Sequence, residues 1–150
     1  DELADKAQQR AGQIGHPLLV PHLAMALAAA GRDAALGAFM AALRAAAEAP
    51  GAWGGAAARE AVIPVCEAAI AHRRGDHARV VALLLPRREA IRLLGGSNAQ
   101  RDMFHQMLLD SAVRSGRGDA AATLLAHERA TRRAPPEARA GDAAAARAAA

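Results

Sequence analysis

The chain has 150 residues, enough for one compact domain or for a piece of a larger protein. Alanine accounts for 45 of them, and the aromatics are only Phe39, Trp53 and Phe104. Alanine favours helices and is a poor strand former, so sandwiches, barrels and most α/β layouts are excluded, leaving helices packed through small residues. The net charge is +4, carried by 18 Arg against the single Lys6. Residues 129–150 hold +3 of this, and the preceding 128 residues sum to +1. A nucleic-acid module concentrates positive charge on its folded body beside stacking aromatics. This pattern is absent, and no nucleic-acid partner is expected.

Cys66 is the one cysteine, so no disulfide closes within the chain, and its helical context reads as a buried structural thiol. No stretch reaches the ~20 apolar residues of a membrane span. The nearest, residues 18–30, is short and interrupted by Pro21 and His22. The chain starts at Asp1 with no signal-like segment, as expected of a processed chain or a part of a longer one, and a cytoplasmic location is the default.

In chain order, the apolar spacing predicts a first helix over 2–13, then helix pairs at 17–30 with 33–48, 57–74 with 76–94, and 98–115 with 119–133. Pro21 and Pro64 fall near predicted helix starts, where proline is tolerated. Leu19, Leu23 and Leu27 form one ridge, and Ile63, Cys66 and Ile70 the corresponding one. Leu36, Phe39, Met40 and Leu43 follow the first turn. Val80, Val81, Leu84 and Leu85 follow the second, and Leu124 and Leu125 the third. Pro86 should bend or restart its helix. Residues 49–55 read as the main loop, with Trp53 folding back as a hydrophobic plug. From Ala134 onward, Pro135 and Pro136 and an Ala/Arg run read as an extension without an apolar stripe. The expected division is therefore a helical-repeat domain at 1–133 and an extension at 134–150.

The pairs share a register. Asp33, Asp76 and Asp119 are each 43 residues apart and each lies beside a glycine turn. Ala26, Ala69 and Ala112 precede them by seven residues, and Pro21 and Pro64 precede the first two by twelve. The physical reading is a helix, a glycine reversal, an Asp cap and a second helix. The expected fold is an all-α, tetratricopeptide-like α-solenoid of antiparallel helix pairs with a period of roughly 43 residues.

The run Gly95-Gly96-Ser97-Asn98-Ala99-Gln100-Arg101-Asp102 is the most specific segment. Two glycines end one helix, and Ser97 with Gln100 has the spacing of a capping box. Such a helix start also suits an anion, with Gly96, Ser97, Asn98 and Arg101 as candidate contacts. Neither the strand nor the Lys-Ser/Thr pair of a phosphate-binding loop accompanies it.

The stretch 91–129 (IRLLGGSNAQRDMFHQMLLDSAVRSGRGDAAATLLAHER) resembles the C-terminal end of the tetratricopeptide repeat protein 38 family, with 95–102 its most distinctive part. PHLAMALAAAGR at 21–32 and AIAHRRGDHARVVALLLP at 69–86 are similar to the preceding repeats. The resemblance implies an α-helical repeat protein of poorly defined molecular function, matched here over the C-terminal part of a longer architecture. The Trp, Tyr and Pro positions of a standard tetratricopeptide repeat of roughly 34 residues are absent, so no ligand groove is carried over.

Six histidines, at 16, 22, 72, 77, 105 and 127, show no i, i+4 pair flanking a Glu, and His72 and His77 straddle a turn. No motif frames a nucleophile. The expectation is a non-enzymatic module with no cofactor and no metal. It binds a protein or peptide, or docks on a missing N-terminal half, and self-association is a third arrangement. By analogy with first-helix linings, His22, Met25, His72, Arg73 and His105 are the candidate contacts. The alternative is a small-molecule or anion site at the Gly-Gly-Ser-Asn helix start, forming part of a larger enzyme.

Overall fold

The three glycine turns are built alike. In the computed structural model, which describes residues 2–10, 15–49, 55–131 and 145–149, Gly31, Gly75 and Gly116 have φ of 66°, 77° and 70°. The amide after each glycine reaches back five residues. Arg32 N donates to Leu27 O at 3.0 Å, Asp76 N to Ala71 O at 2.9 Å, and Arg117 N to Ala112 O at 2.8 Å. The glycine amides close the inner bonds to Ala28 O, His72 O and Val113 O at 3.3, 3.0 and 3.1 Å. This is the Schellman closure, which satisfies helix-end carbonyls and needs a left-handed residue.

The chain folds into helices alone among the described residues. They are α1 (Glu2–Arg10), α2 (Leu19–Ala29), α3 (Asp33–Glu48), α4 (Gly55–Ala57), α5 (Ile63–Arg73), α6 (His77–Leu84), α7 (Asn98–Arg114) and α8 (Gly118–Thr131). A π-helical segment, Ala58–Val62, joins α4 to α5, and a 3-10 segment, Leu85–Leu94, continues α6. The expected helices all lie where the apolar spacing put them, with ends shifted by a few residues. Trp53 and most of the 134–150 extension lie outside the described residues.

Two prolines explain the irregular segments. Pro64 has no amide for the carbonyl four residues earlier, and its ring crowds that carbonyl. The π segment just before it resets the register, with Ile63 N donating to Ala58 O. Pro64 thus falls in the first turn of α5, as the sequence suggested, within one continuous helical run over 55–73. Pro86 ends the α-helix at Leu84, and the chain tightens to 3-10 geometry. The guanidinium of Arg87 then covers the Leu83 carbonyl at 3.2 Å.

Only the middle aspartate is a cap. Asp76 accepts from Arg79 N at 3.1 Å, whereas Arg32 occupies the cap position of α3 and Asp119 lies inside α8. The left-handed glycines, 44 and 41 residues apart, mark the structural register, and the even aspartate spacing does not. Asp33 instead accepts from Arg74 at 3.1 Å, as Asp5 does from Arg32 at 2.8 Å. The first two turn arginines thus reach an acid from an earlier element, whereas Arg117 reaches forward to Asp119 in α8. Such exposed pairs contribute ~0–1 kcal/mol each.

The core is one cluster running through all the main helices. α2 packs on α3 and α5, α5 on α6, α6 on α7, and α7 on α8. Leu27, Leu43, Val65, Leu84, Phe104 and Leu108 are fully buried, each contributing about 1.5–3 kcal/mol of apolar burial. Of the expected ridge, Leu23 and Leu27 are buried but Leu19 is 41% exposed. The extension, read as having nothing to pack, returns at 145–149, where Ala145 is buried in the same core. An alanine suffices there because the approach is close, with Ala148 O beside Gly118.

Gly96 packs against the turn that starts α2. Its φ is +70°, and a Cβ there would lie 2.6 Å from Leu18 Cδ2 in that turn. Gly31 has a similar φ but open space around it. Gly31→Ala is therefore expected to cost about 1–2 kcal/mol from left-handed strain alone. Gly96→Ala should cost a further ~1–3 kcal/mol for overpacking. Urea unfolding of both variants checks this, and equal losses would refute the Leu18 contact.

Candidate functional site

A cleft of about 540 Å³ opens between the 3-10 segment, α7 and α8. Its α7 wall is Asn98, Arg101, Asp102, His105 and Leu109, a spacing of three and four residues that puts them on one helix face. Leu124, His127 and Glu128 of α8 face them, and Arg88 closes one side. Apolar Leu109 and Leu124 thus sit among six ionisable side chains. Glu89 bridges the rim, with its Oε1 3.6 Å from His127 Nε2 and 3.7 Å from Arg88 Nε.

The Gly-Gly-Ser-Asn run forms one end of this cleft as a closed capping box. Gln100 N donates to Ser97 Oγ at 3.3 Å, and Ser97 N donates to Gln100 Oε1 at 2.9 Å. Arg101 folds back over the turn, donating to Gly95 O at 2.8 Å and also to Gly96 O and Asn98 Oδ1. Two of the free amides expected to face an anion are therefore occupied by the box, and the guanidinium holds the helix start together.

The five candidate partner contacts have different surroundings. Met25 is half-buried and packs against the core. His22 Nδ1 lies 2.7 Å from Leu18 O, so it carries the proton and donates, and the ring meets Phe104 edge-on at 5.7 Å. His105 lines the cleft. Arg73 is exposed at the end of α5. His72 lies in a separate cluster, with Nε2 3.0 Å from Asp110 Oδ2. His77 joins it from the start of α6, its ring 5.2 Å from that of His72 and its Nδ1 3.3 Å from Ser111 Oγ.

Asp110 is the residue that sequence reasoning missed. Partial burial pushes its carboxyl up, but hydrogen bonds from Arg114 and His72 outweigh this and hold it below the usual carboxylate range. Asp119, pinned by Arg117 at 2.7 and 2.8 Å and by the Ala120 amide, is pulled down to about 2. Among the described residues, His72, His77 and Asp110 are the group able to present three ligand atoms to a metal ion. The only sequence signal was the pair of histidines flanking the turn, because Asp110 comes from another helix.

No protein-family model matches the chain, and no solved structure matches it. Among the described residues, no helix is long and apolar enough to cross a membrane.

Cys66 takes no part in these sites. It is fully buried, and desolvation, aided by the Glu67 charge, pushes its thiol far up, away from the reactive thiolate. A thiol-specific reagent should leave the native protein unmodified and label one equivalent after denaturation. Rapid labelling of the native chain would contradict this packing.

Proposed function

We propose that the chain is a non-enzymatic helical-repeat module for protein–protein interaction, built as a tetratricopeptide-like stack of helix pairs. The observation that carries the reading is the repeated Schellman closure at Gly31, Gly75 and Gly116 over one continuous core. A domain assembled from similar pairs presents several helix faces at once, which suits an extended partner. The resemblance of 91–129 to the tetratricopeptide repeat protein 38 family points the same way. The partner is a protein or peptide, an N-terminal half of a longer chain, or a second copy.

The cleft favours a second reading, a small-molecule or anion site. Its volume, about 540 Å³, falls within the ~300–1,000 Å³ typical of ligand pockets, and α7 starts at its edge. Asn98 and Arg101 would contribute, with His105 and His127 on the walls.

The two readings separate experimentally. For the interaction module, Arg73→Glu and His105→Ala should each lower recovery of a saturable protein partner several-fold while moving Tm by less than about 2 °C. Unchanged recovery with both variants would overturn it. For the anion reading, a phosphate or sulfate titration with a salt control should give saturable amide shifts confined to residues 96–101. Diffuse shifts that salt suppresses would dismiss that site.

A further inference from the structure

We propose that His72, His77 and Asp110 form a binding site for a divalent transition-metal ion of the zinc class. Three separate elements supply the donors: the last turn of α5, the first residue of α6 and the middle of α7. One ligand atom from each lies within 4.8 Å of the others.

The fold explains why they meet. His72 and His77 are five residues apart, and the chain reverses between them at Gly75, with φ of 77°. That reversal brings the rings together at an interplanar angle of 80°. Packing of α7 against α6 and α5 then places Asp110 beside His72.

The donor chemistry selects the ion. Two imidazoles and a carboxylate suit zinc and its neighbours, whereas calcium and magnesium take oxygen shells. Bonds of about 2.0–2.1 Å in a tetrahedral site put donors roughly 3.3 Å apart. The His72 and Asp110 atoms already lie at 3.0 Å, so binding asks mainly that the His77 ring turn inward. On binding, the ion takes the place of the proton between His72 Nε2 and Asp110 Oδ2; from a neutral imidazole that proton moves to Nδ1, and from an imidazolium it leaves to solvent.

An outer shell is in place as well. Arg114 Nε donates to the Asp110 carboxylate at 2.9 Å, and Ser111 lies beside His77. Such partners orient ligands and tune a site. All three ligands are half-buried, so an ion enters without opening the core. Three protein ligands leave a coordination position for water or for a side chain from a partner. The ion would also fasten α7 to the α5–α6 turn.

The test uses the full chain, stripped with a chelator and titrated with Co2+ as a visible-absorbing probe, then with Zn2+. The expected result is one equivalent of Co2+ with ligand-field bands, displaced by Zn2+, and a rise in Tm with Zn2+. His77→Ala should abolish the bands, and Asp110→Asn should weaken binding at least tenfold. The double variant His105→Ala, His127→Ala should bind as the wild type does. Should His77→Ala fail to fold, Asp110→Asn, nearly identical in volume, decides the matter. No saturable binding, equal binding by Asp110→Asn, or loss of binding in the double variant would each overturn the site.

Discussion

The structure depends on the left-handed glycines that close the ends of α2, α5 and α7. Each of these closures satisfies two helix-end carbonyls and sets where the next helix departs. Alanine-rich helices carry few bulky side chains, so their packing depends on close approach over a long contact. A reversal that wandered by one residue would move the next helix's apolar face off the core. With Leu27, Leu43, Leu84 and Leu108 all fully buried, that misalignment would expose several large side chains together.

The all-helical class was legible in the sequence because it follows from composition and spacing, both local properties. Helix positions and the capping box at Ser97 were legible for the same reason. The role of the aspartates was not. Their even spacing was real, but it is out of step with the glycines: each helix starts two residues after its glycine, while Asp33, Asp76 and Asp119 lie two, one and three residues after it. Asp76 thus caps, while Asp33 answers a turn arginine and Asp119 pairs with Arg117. Pro64 does mark the start of α5, but the π turn before it, which joins α5 to the preceding helical residues, left no signal in the sequence.

The candidate sites show a sharper divide. Asn98 and Arg101 were readable from the glycine-rich helix start, and the structure places them along one cleft with His105, which was chosen on other grounds. The five contacts chosen by first-helix analogy have different surroundings, since each helix meets different neighbours. Met25 faces core, His22 meets Phe104, and His72 meets Asp110. A grouping that joins α5, α6 and α7 is written in tertiary packing, and no periodicity within one helix reveals it.

These observations converge on α7. Phe104, Met107, Leu108, Leu109, Ser111 and Ala112 are buried on different sides of it, because α6, α8 and the 3-10 segment surround it. A helix enclosed in this way has no broad solvent face on which to place its polar residues. They must be satisfied by neighbours, as Asp110 is by His72 and Arg114. Adjacent residues on a helix point in different directions, so Leu109 lines the cleft while Asp110 faces the α5–α6 turn. A shift of α7 along its axis would therefore alter the cleft and the histidine cluster together. That mechanical link follows from enclosure alone, whichever ligand either site takes.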